Sequence, residues 1–561
     1  MNNGIFVQDV YGKPGFDAGL PRVLTGSPNP LPMPYHYPGG DWKIDLNNKL
    51  VLVYDTRYGT NTSITLQVGG GSYNIVIDWG DGIINSYSGS SNITYTYNNH
   101  GIYTVQISGS LVVFGSNFTN SNNNKTIKLL SFGNLPSLTS LNYGFSNSSN
   151  IGHPNLIEIP KSIPTTITNL NSCFAGCFFL NDPKLSSWDV SNVTSMQGLF
   201  NGAGSFNQNL NNWNVSNVTD MSYMFQSTAM NQPLNNWNTS KVTTFRGIFN
   251  GSAFNQNISS WDTSNATDMG SMFSNNTPFN QPIGSWNTIK ATDMSSMFFY
   301  NTVFNQNLSN WNVRKVTNFT SMFNGAGSFN SSLSGWALGA DTAGANCSSM
   351  FQSSAFNNNS ISSWDTSKVT NMSNMFANIT SASGFNQDIG SWNTSSVTNM
   401  SLMFYNNTPF NNGGSSSING WNTSNVTTMT LMFYNTYFNQ PIGNWNVSKV
   451  ADMSSMFSAA RLFDQNISNW NLAGLNASTS LDNFMLNKTG GSIVALSTAN
   501  YDALLIGWNN NKLAATNGVA NWRTDLRPNF GGAKYTAGGA AATARAALVS
   551  YGWTITDGGS V

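Results

Sequence analysis

The chain has 561 residues, of which only 8% are charged, and its 23 Lys and Arg balance 23 Asp and Glu. Soluble proteins usually carry about 25% charge, and a formal net charge of zero leaves neither the basic stripe a phosphate backbone needs nor a polybasic patch for anionic lipid. Nucleic acid is therefore set aside as a partner, and so is membrane insertion, since no run of about 18 apolar residues is present to span a bilayer.

Residues 1–47 form an arm rich in Gly and Pro, "YGKPGFDAGLPRVLTGSPNPLPMPYHYPGGDW". It cannot build a core of its own and is expected to anchor the protein to a larger assembly, a virion or a surface structure. The start "MNNGIFVQDVYGKPGF" lacks the basic and apolar segments of a secretory leader, which predicts a soluble protein unprocessed at Met1.

Over 48–125 the pattern turns to period-two alternation, as in "SYNIVIDWGDG" and "GIYTVQISG", and predicts a small antiparallel β-sandwich. The stretch "IDWGDG" (Ile77 to Gly82) followed by "TYTYNNHGIYTVQISG" resembles polycystic-kidney-disease-type modules, immunoglobulin-like domains common in extracellular proteins. Asp78 and Asp81 are weak calcium-ligand candidates, with turn capping as the plainer reading.

Residues 126–487 repeat. Trp188, Trp213, Trp237, Trp261, Trp286, Trp311, Trp336, Trp364, Trp392, Trp421, Trp445 and Trp470 follow one another at gaps of 25, 24, 24, 25, 25, 25, 28, 28, 29, 24 and 25 residues. A fixed period of this length predicts a solenoid whose coils bury their apolar side chains only by stacking. It starts before the first regular Trp, because "LTSLNYGF" and "ITNLNSCF" match "VTSMQGLF" apolar for apolar.

Within one coil, "LNNWNV" (Leu210 to Val215) has the L-x-x-L-x-L form of a leucine-rich repeat, with Leu210, Trp213 and Val215 turned inward and the Trp segments forming a parallel sheet along the stack. "VTDMSYMF", with apolar residues at i, i+3, i+6 and i+7, predicts a short helix or 3₁₀ turn.

The residues after each Trp then form an outer column: Asp189, Asn214, Asn238, Asp262, Asn287, Asn312, Ala337, Asp365, Asn393, Asn422, Asn446 and Asn471. It has two readings. Stacked amides hydrogen-bond to their equivalents in the next coil, or a neutral ladder with nearby Tyr300, Tyr405 and Tyr434 binds a cell-surface glycan or protein multivalently. The N-x-S/T triplets fall at fixed repeat positions and read as by-products of the repeat rather than as glycosylation sites.

The last part, 488–561, breaks the repeat. "STANYDALLIGWNNN" and "TAGGAAATARAALVSYGW" predict two helices, the second stopped by Gly552 and followed by a short strand "WTITDG". This is a C-terminal capping region. The fold class is thus mainly β with short helical turns: a leucine-rich-repeat-like solenoid of about 25-residue coils, preceded by an immunoglobulin-like β-sandwich and closed by a small α/β cap.

Cys173, Cys177 and Cys347 have no disulfide or metal spacing and stand at small buried positions of the repeat. The three His are scattered, so no metal, cofactor or triad is expected. Glu158 is the only Glu, and Asp189, Asp262 and Asp365 lie three or four coils apart, about 14–19 Å at ~4.8 Å per coil. A glycosidase pair needs ~5–10 Å, so a polysaccharide-cleaving enzyme is the remote alternative and no enzymatic activity is expected.

From about Leu50 to the end, the sheet module, "CFAGCFFL", the twelve Trp coils with their "FNQ…W" pattern and the terminal helical stretch resemble the BspA-like leucine-rich-repeat surface proteins of bacteria, in their short-repeat branch. The resemblance implies a cell-surface or secreted protein that binds host proteins, cells or matrix, with no active site. Lack of a leader, of a lipoprotein Cys and of a wall-sorting tail turns the expectation toward a virion fibre or decoration protein. In that role the sandwich is a spacer and the stack a rod of roughly 14 coils, about 65–70 Å long at ~4.8 Å per coil. A cell-surface adhesin is the second expectation, and a filament subunit that self-associates head to tail the third.

Overall fold

The computed structural model describes residues 44–58, 61–115, 125–146, 158–379, 384–486, 495–515 and 522–561. The chain divides into a unit Met1–Ile44 and a unit Asp45–Val561. The first, and with it nearly all of the anchoring arm expected over 1–47, lies outside the described residues apart from Ile44.

The larger unit is mainly β. Its first strands are β1 (Leu50–Asp55), β2 (Ser63–Leu66), β3 (Tyr73–Asp78), β4 (Ile84–Gly89), β5 (Ile93–Thr96), β6 (Ile102–Leu111) and β7 (Thr126–Ser131). Five make an antiparallel sheet in the order β4-β3-β6-β1-β7, and β2 pairs with β5. Strand β3 buries Tyr73, Ile75 and Ile77 and exposes Asn74 and Val76, the alternation of a sheet with one wet face. Strand β1, "LVLVYD", is buried throughout.

Two expectations change at this end. Strand β7 completes the sheet by pairing with β1, so the boundary expected at 125 cuts through the sheet module. The module is also no spacer, because Val113 bridges Ser140 and Lys128 bridges Glu158 in parallel. One apolar interior runs from Leu50 to Trp553, and the sheet therefore closes the N-terminal end of the stack. Gly115 permits the contact: its φ is +123°, and a Cβ there would lie 1.9 Å from the Asn142 carbonyl oxygen. The Lys125 ammonium, buried beside the same sheet, gives hydrogen bonds to Asn61 O (2.8 Å), Asn61 Oδ1 (2.7 Å) and Ser63 O (2.7 Å), which satisfies a cation that burial would otherwise penalise.

In the coil that begins at Phe206, Leu210, Trp213 and Val215 are buried, as are Val218, Met221, Met224 and Phe225. The parallel ladder along the stack, however, does not run through the Trp segment. It runs through the residue before the first Met, as successive bridges Ser140, Asn169, Ser195, Asp220, Thr244, Asp268, Asp293, Asn318 and Asn346. It widens once into a strand pair, β8 (Ala345–Asn346) with β9 (Val369–Asn371). Beside the Trp column the bridge found among the described residues is Ala337 to Asp365.

The segment expected as a short helix is the one that carries the coil-to-coil hydrogen bonds. The amides of Met221, Tyr223, Phe225 and Ser227 donate to the carbonyls of Thr244 (3.2 Å), Arg246 (2.8 Å), Ile248 (2.9 Å) and Asn250 (2.8 Å). The amides between them turn inward, Met224 to Met221 O and Gln226 to Tyr223 O, both 3.2 Å. Alternation is possible because Tyr223 (φ 58°) and Ser227 (φ 55°) are left-handed, which breaks a helix every fourth residue. The left-handed region costs a side-chain-bearing residue about 1–2 kcal/mol. Other coils meet it with Gly or Asn, but also with Tyr300, Leu402, Leu431 and Ala459, where the inter-coil bonds must offset it.

Stacked rings fill the interior. Phe200, Phe225, Phe249, Phe273 and Phe298 succeed one another at centroid spacings of 5.7–6.0 Å, wider than the ~4.8 Å between hydrogen-bonded strands. Each Trp donates its indole N–H, at 2.8–3.2 Å from Trp213 to Trp470, to the carbonyl three residues before the preceding coil's Trp.

At the far end, helix α1 (Thr498–Ala515) buries Tyr501, Leu504, Leu505 and Trp508 on one face, and α2 (Ala540–Ser550) buries Ala541, Ala544 and Leu548. Both i, i+3, i+4 stripes match the apolar spacing of their sequences. In place of the expected strand "WTITDG", single parallel bridges join Asn529 to Thr556 and Tyr535 to Ser560. Asp557, half-buried but with its side chain enclosed, ties the region together by accepting from Arg545 Nε (2.7 Å) and Tyr501 Oη (2.7 Å).

Candidate binding surface

The column after each Trp is outward-facing: Asp189, Asn214, Asn238, Asp262, Asn287, Asp365, Asn393, Asn422, Asn446 and Asn471 are exposed and Asn312 is half-buried. Its Asn and Asp residues do not hydrogen-bond to one another between coils. Each uses Oδ1 to accept the backbone N–H two residues on, at 2.9–3.2 Å, an Asx turn that caps its own coil. The Ser191, Ser264 and Ser367 groups in these turns hold the Asp189, Asp262 and Asp365 carboxyls below the ordinary carboxylate value. The expectation that these side chains glue coil to coil is thus corrected. They are spent locally on one oxygen, which at Asn471 also accepts Trp522 Nε1 (3.2 Å), and face solvent with the rest.

Adhesion at this level comes from neighbouring positions. Two residues after Trp the side chain is buried; there Thr239, Thr263, Thr288, Thr366, Thr394 and Thr423 donate to the next coil's post-Trp carbonyl at 2.9–3.0 Å. Where that residue is Val190, Val215, Val313 or Val447, apolar contact replaces the bond.

The true asparagine ladder lies in the "FNQ" step. Asn181, Asn207, Asn231, Asn255, Asn280, Asn305, Asn330, Asn357, Asn386, Asn411 and Asn439 each accept, through Oδ1, the backbone N–H of the equivalent residue in the next coil at 2.7–3.1 Å. The following Gln often adds a second bond to the same oxygen, as Gln281 Nε2 does to Asn255 (2.9 Å) and Gln306 Nε2 to Asn280 (2.9 Å). The signal was in the sequence: "FN" recurs as regularly as Trp, but nothing local marks its amide as the one that reaches across.

The flanking tyrosines are partly available. Tyr300 is 50% exposed and meets Phe299 edge-on at 4.6 Å, while Tyr405 and Tyr434 stack on each other at 5.0 Å. On the turn side, Arg246 joins Tyr223 (3.1 Å), Asp268 (3.0 Å) and Asp293 (3.4 Å).

Asp78 and Asp81 lie at a turn, where Asp78 Oδ1 accepts Gly80 N (3.0 Å) and Asp81 accepts Ile83 N (3.1 Å) and Tyr95 Oη (2.8 Å). Among the described residues no group of three His, Cys, Asp or Glu is placed to hold a metal ion. Glu158 pairs with Lys128 (2.7 Å) and Lys184 (3.2 Å), which hold its carboxyl low. Cys173, Cys177 and Cys347 are buried, and burial pushes their thiols up. Among the described residues no helix is long and apolar enough to cross a membrane.

These features define a mainly β repeat protein whose coils present neutral amides to solvent. The chain belongs to the family described as "Mycoplasma protein of unknown function, DUF285", whose model matches residues 139–253, 226–336, 341–416 and 415–488, more than half of the chain. The BspA-like resemblance of the repeats falls within this repeat family. The matched segments begin at 139, beyond the N-terminal sheet. Neither the curated proteins nor the solved structures give a match.

Proposed function

We propose that the protein is a non-enzymatic display and binding protein, acting outside the cell, whose leucine-rich-repeat-like solenoid adheres to cell-surface glycans or proteins. The observation that carries this reading is the post-Trp column: one exposed Asn or Asp in almost every coil, its side chain held in fixed orientation by its Asx turn and not bonded to the equivalent side chains of the neighbouring coils. A rigid row of weak hydrogen-bonding groups at one spacing gains affinity by multivalency rather than by any single contact. The N-terminal sheet module, read as immunoglobulin-like and of the polycystic-kidney-disease type, and the C-terminal helices act in this view as the two caps that keep the array soluble.

The display setting we propose is a virion, with the arm at 1–47 as its attachment. A bacterial cell surface is the second reading, favoured by the family description as a Mycoplasma protein. Mass spectrometry of purified virions and of cell envelopes distinguishes them: the chain with residue 1 or 2 at its N-terminus on virions supports the first, and a trimmed chain on envelopes the second. Binding of the fluorescent full-length chain to bacterial and host cells tests adhesion itself. Failure to bind either overturns the reading.

A further inference from the structure

Three consecutive coils are longer than the rest, with Trp gaps of 28, 28 and 29 residues. The first of them contains a 3₁₀ turn at Asn359–Ser363, and the residues added to the third form 3₁₀ turns at Asn412–Gly414 and Ser416–Gly420. Between these turns lies an open groove of about 660 Å³ lined by Ser362, Ser363, Asp388, Gly390, Ser391 and Ser417, with Trp364 beneath. Its volume is that of a small-ligand site, but its wall is made of hydroxyls and one carboxylate.

The carboxylate is fixed. Asp388 Oδ1 accepts Ser417 Oγ (2.6 Å), Gly390 N (2.9 Å) and Asn412 Nδ2 (3.4 Å). Gly390 lets the inserted turn close on it, since a Cβ there would lie 2.0 Å from Ser417 Oγ. Asn412 is itself buried, and its Oδ1 accepts the Ile389 amide at 3.0 Å. Burial opposes ionisation of Asp388, and the Ser417 and Gly390 donors outweigh it, so the carboxyl is held below its ordinary value. At the equivalent position the adjacent coils carry Asn359 and Gly413, and coils further along carry Pro282, Asn307, Pro441 and Asn466; Asp388 is in no ion pair among the described residues. An immobilised carboxylate without a cation, among serine hydroxyls, matches a ligand that offers several neutral O–H donors and acceptors.

We propose that this groove is a saccharide subsite, in which Asp388 accepts hydroxyl protons of one sugar unit and Ser362 and Ser363 bind its other side. The proposal rests on the display-and-binding reading and deepens it by naming the ligand class and the place. One carboxylate in the lining serves recognition, since hydrolysis of a glycoside takes two. Trp364 is buried and offers no ring face to a sugar, so the affinity of a single unit is expected near millimolar and avidity must come from the array.

The test uses the full-length chain on an array of neutral hexose- and N-acetylhexosamine-terminated oligosaccharides, followed by titration of the strongest glycan. Asp388→Asn keeps the Oδ1 acceptor for Ser417 and Gly390 but removes the charge, and Ser362→Ala/Ser363→Ala alters the opposite wall without touching Asp388. Loss of binding by about tenfold or more in both variants, with unchanged melting temperature, is the expected result. Glycan binding that both variants retain would put the contact elsewhere on the stack and overturn the subsite while leaving the adhesion reading. A chain that binds cells but no glycan on the array likewise overturns the subsite alone, and one that binds neither overturns both.

Discussion

The indole N–H of Trp508, carried by helix α1, donates to the carbonyl oxygen of Ile467 at 3.2 Å. This is the bond that Trp470 makes to Ile442 and Trp445 to Ile418 in the coils before it, so a helix supplies the next rung of a ladder built by coils. The second ladder ends in the same helix region, where Asp464 Oδ1 accepts Ser497 N (2.9 Å) and Asn500 Nδ2 (2.8 Å). The cap satisfies the last coil by imitating its successor.

Trp508→Phe keeps a buried ring but removes the indole donor, leaving the Ile467 carbonyl with the Trp470 amide alone, at an expected cost of about 0.5–1.5 kcal/mol. Trp508→Ala adds a cavity and should cost about 3–5 kcal/mol. Hydrogen exchange followed along the chain should show protection lost first in the coil containing Trp470, as expected for nearest-neighbour coupling in a repeat array. Uniform loss across all coils would mean that the cap is not a local device.

Asn280 Oδ1 accepts from both Asn305 N (3.0 Å) and Gln306 Nε2 (2.9 Å). Asn280→Ala orphans a backbone amide of the next coil and should cost about 1–3 kcal/mol; Asn280→Asp retains the acceptor and should cost less. By contrast, Asn287→Ala in the post-Trp column removes one exposed Asx turn and should cost below about 1 kcal/mol. Urea unfolding of the three variants ranks the two columns.

The left-handed turn position can be tested where there is room for a side chain. Gly251 has φ +65°, and a Cβ there would come no closer than 3.5 Å, to Ser227 Oγ. Gly251→Asn should be tolerated, since Asn adopts this backbone in other coils, whereas Gly251→Val should destabilise by about 1–2 kcal/mol through backbone strain. Equal melting temperatures for the two would contradict the turn geometry.

Burial alone would raise the Asp557 carboxyl, but the Arg545 and Tyr501 hydrogen bonds bring it below the ordinary value. A depressed folded pKa contributes stability that is full above the unfolded value of about 3.9 and is lost as pH falls through the folded value. The C-terminal helices should therefore loosen below about pH 4, visible as falling helical circular dichroism. Asp557→Asn should flatten this part of the pH dependence.

Much of this architecture is legible along the chain. The Trp period requires a stacked array, because no single 25-residue coil can bury its own aromatic rings, and the two C-terminal apolar stripes require helices. Val190, Thr239 and Thr263 share one buried position, and the column that faces outward follows from its place beside Trp. What each polar side chain bonds to is a different matter. Asn214 and Asn207 are the same residue type seven positions apart, yet one closes its own turn and the other holds the next coil. A hydrogen bond depends on distances of a few tenths of an ångström, and those are set only when neighbouring coils dock. The same holds for "VTDMSYMF", whose apolar spacing fits a helix as well as a turn; the inter-coil carbonyls that stabilise left-handed Tyr223 and Ser227 exist only in the stack. Periodicity by itself determined that the chain repeats and what it buries. Tertiary contact decided which backbone ladder joins the coils, how the β-sheet and helix α1 close the ends, and where three long coils leave a groove around Asp388.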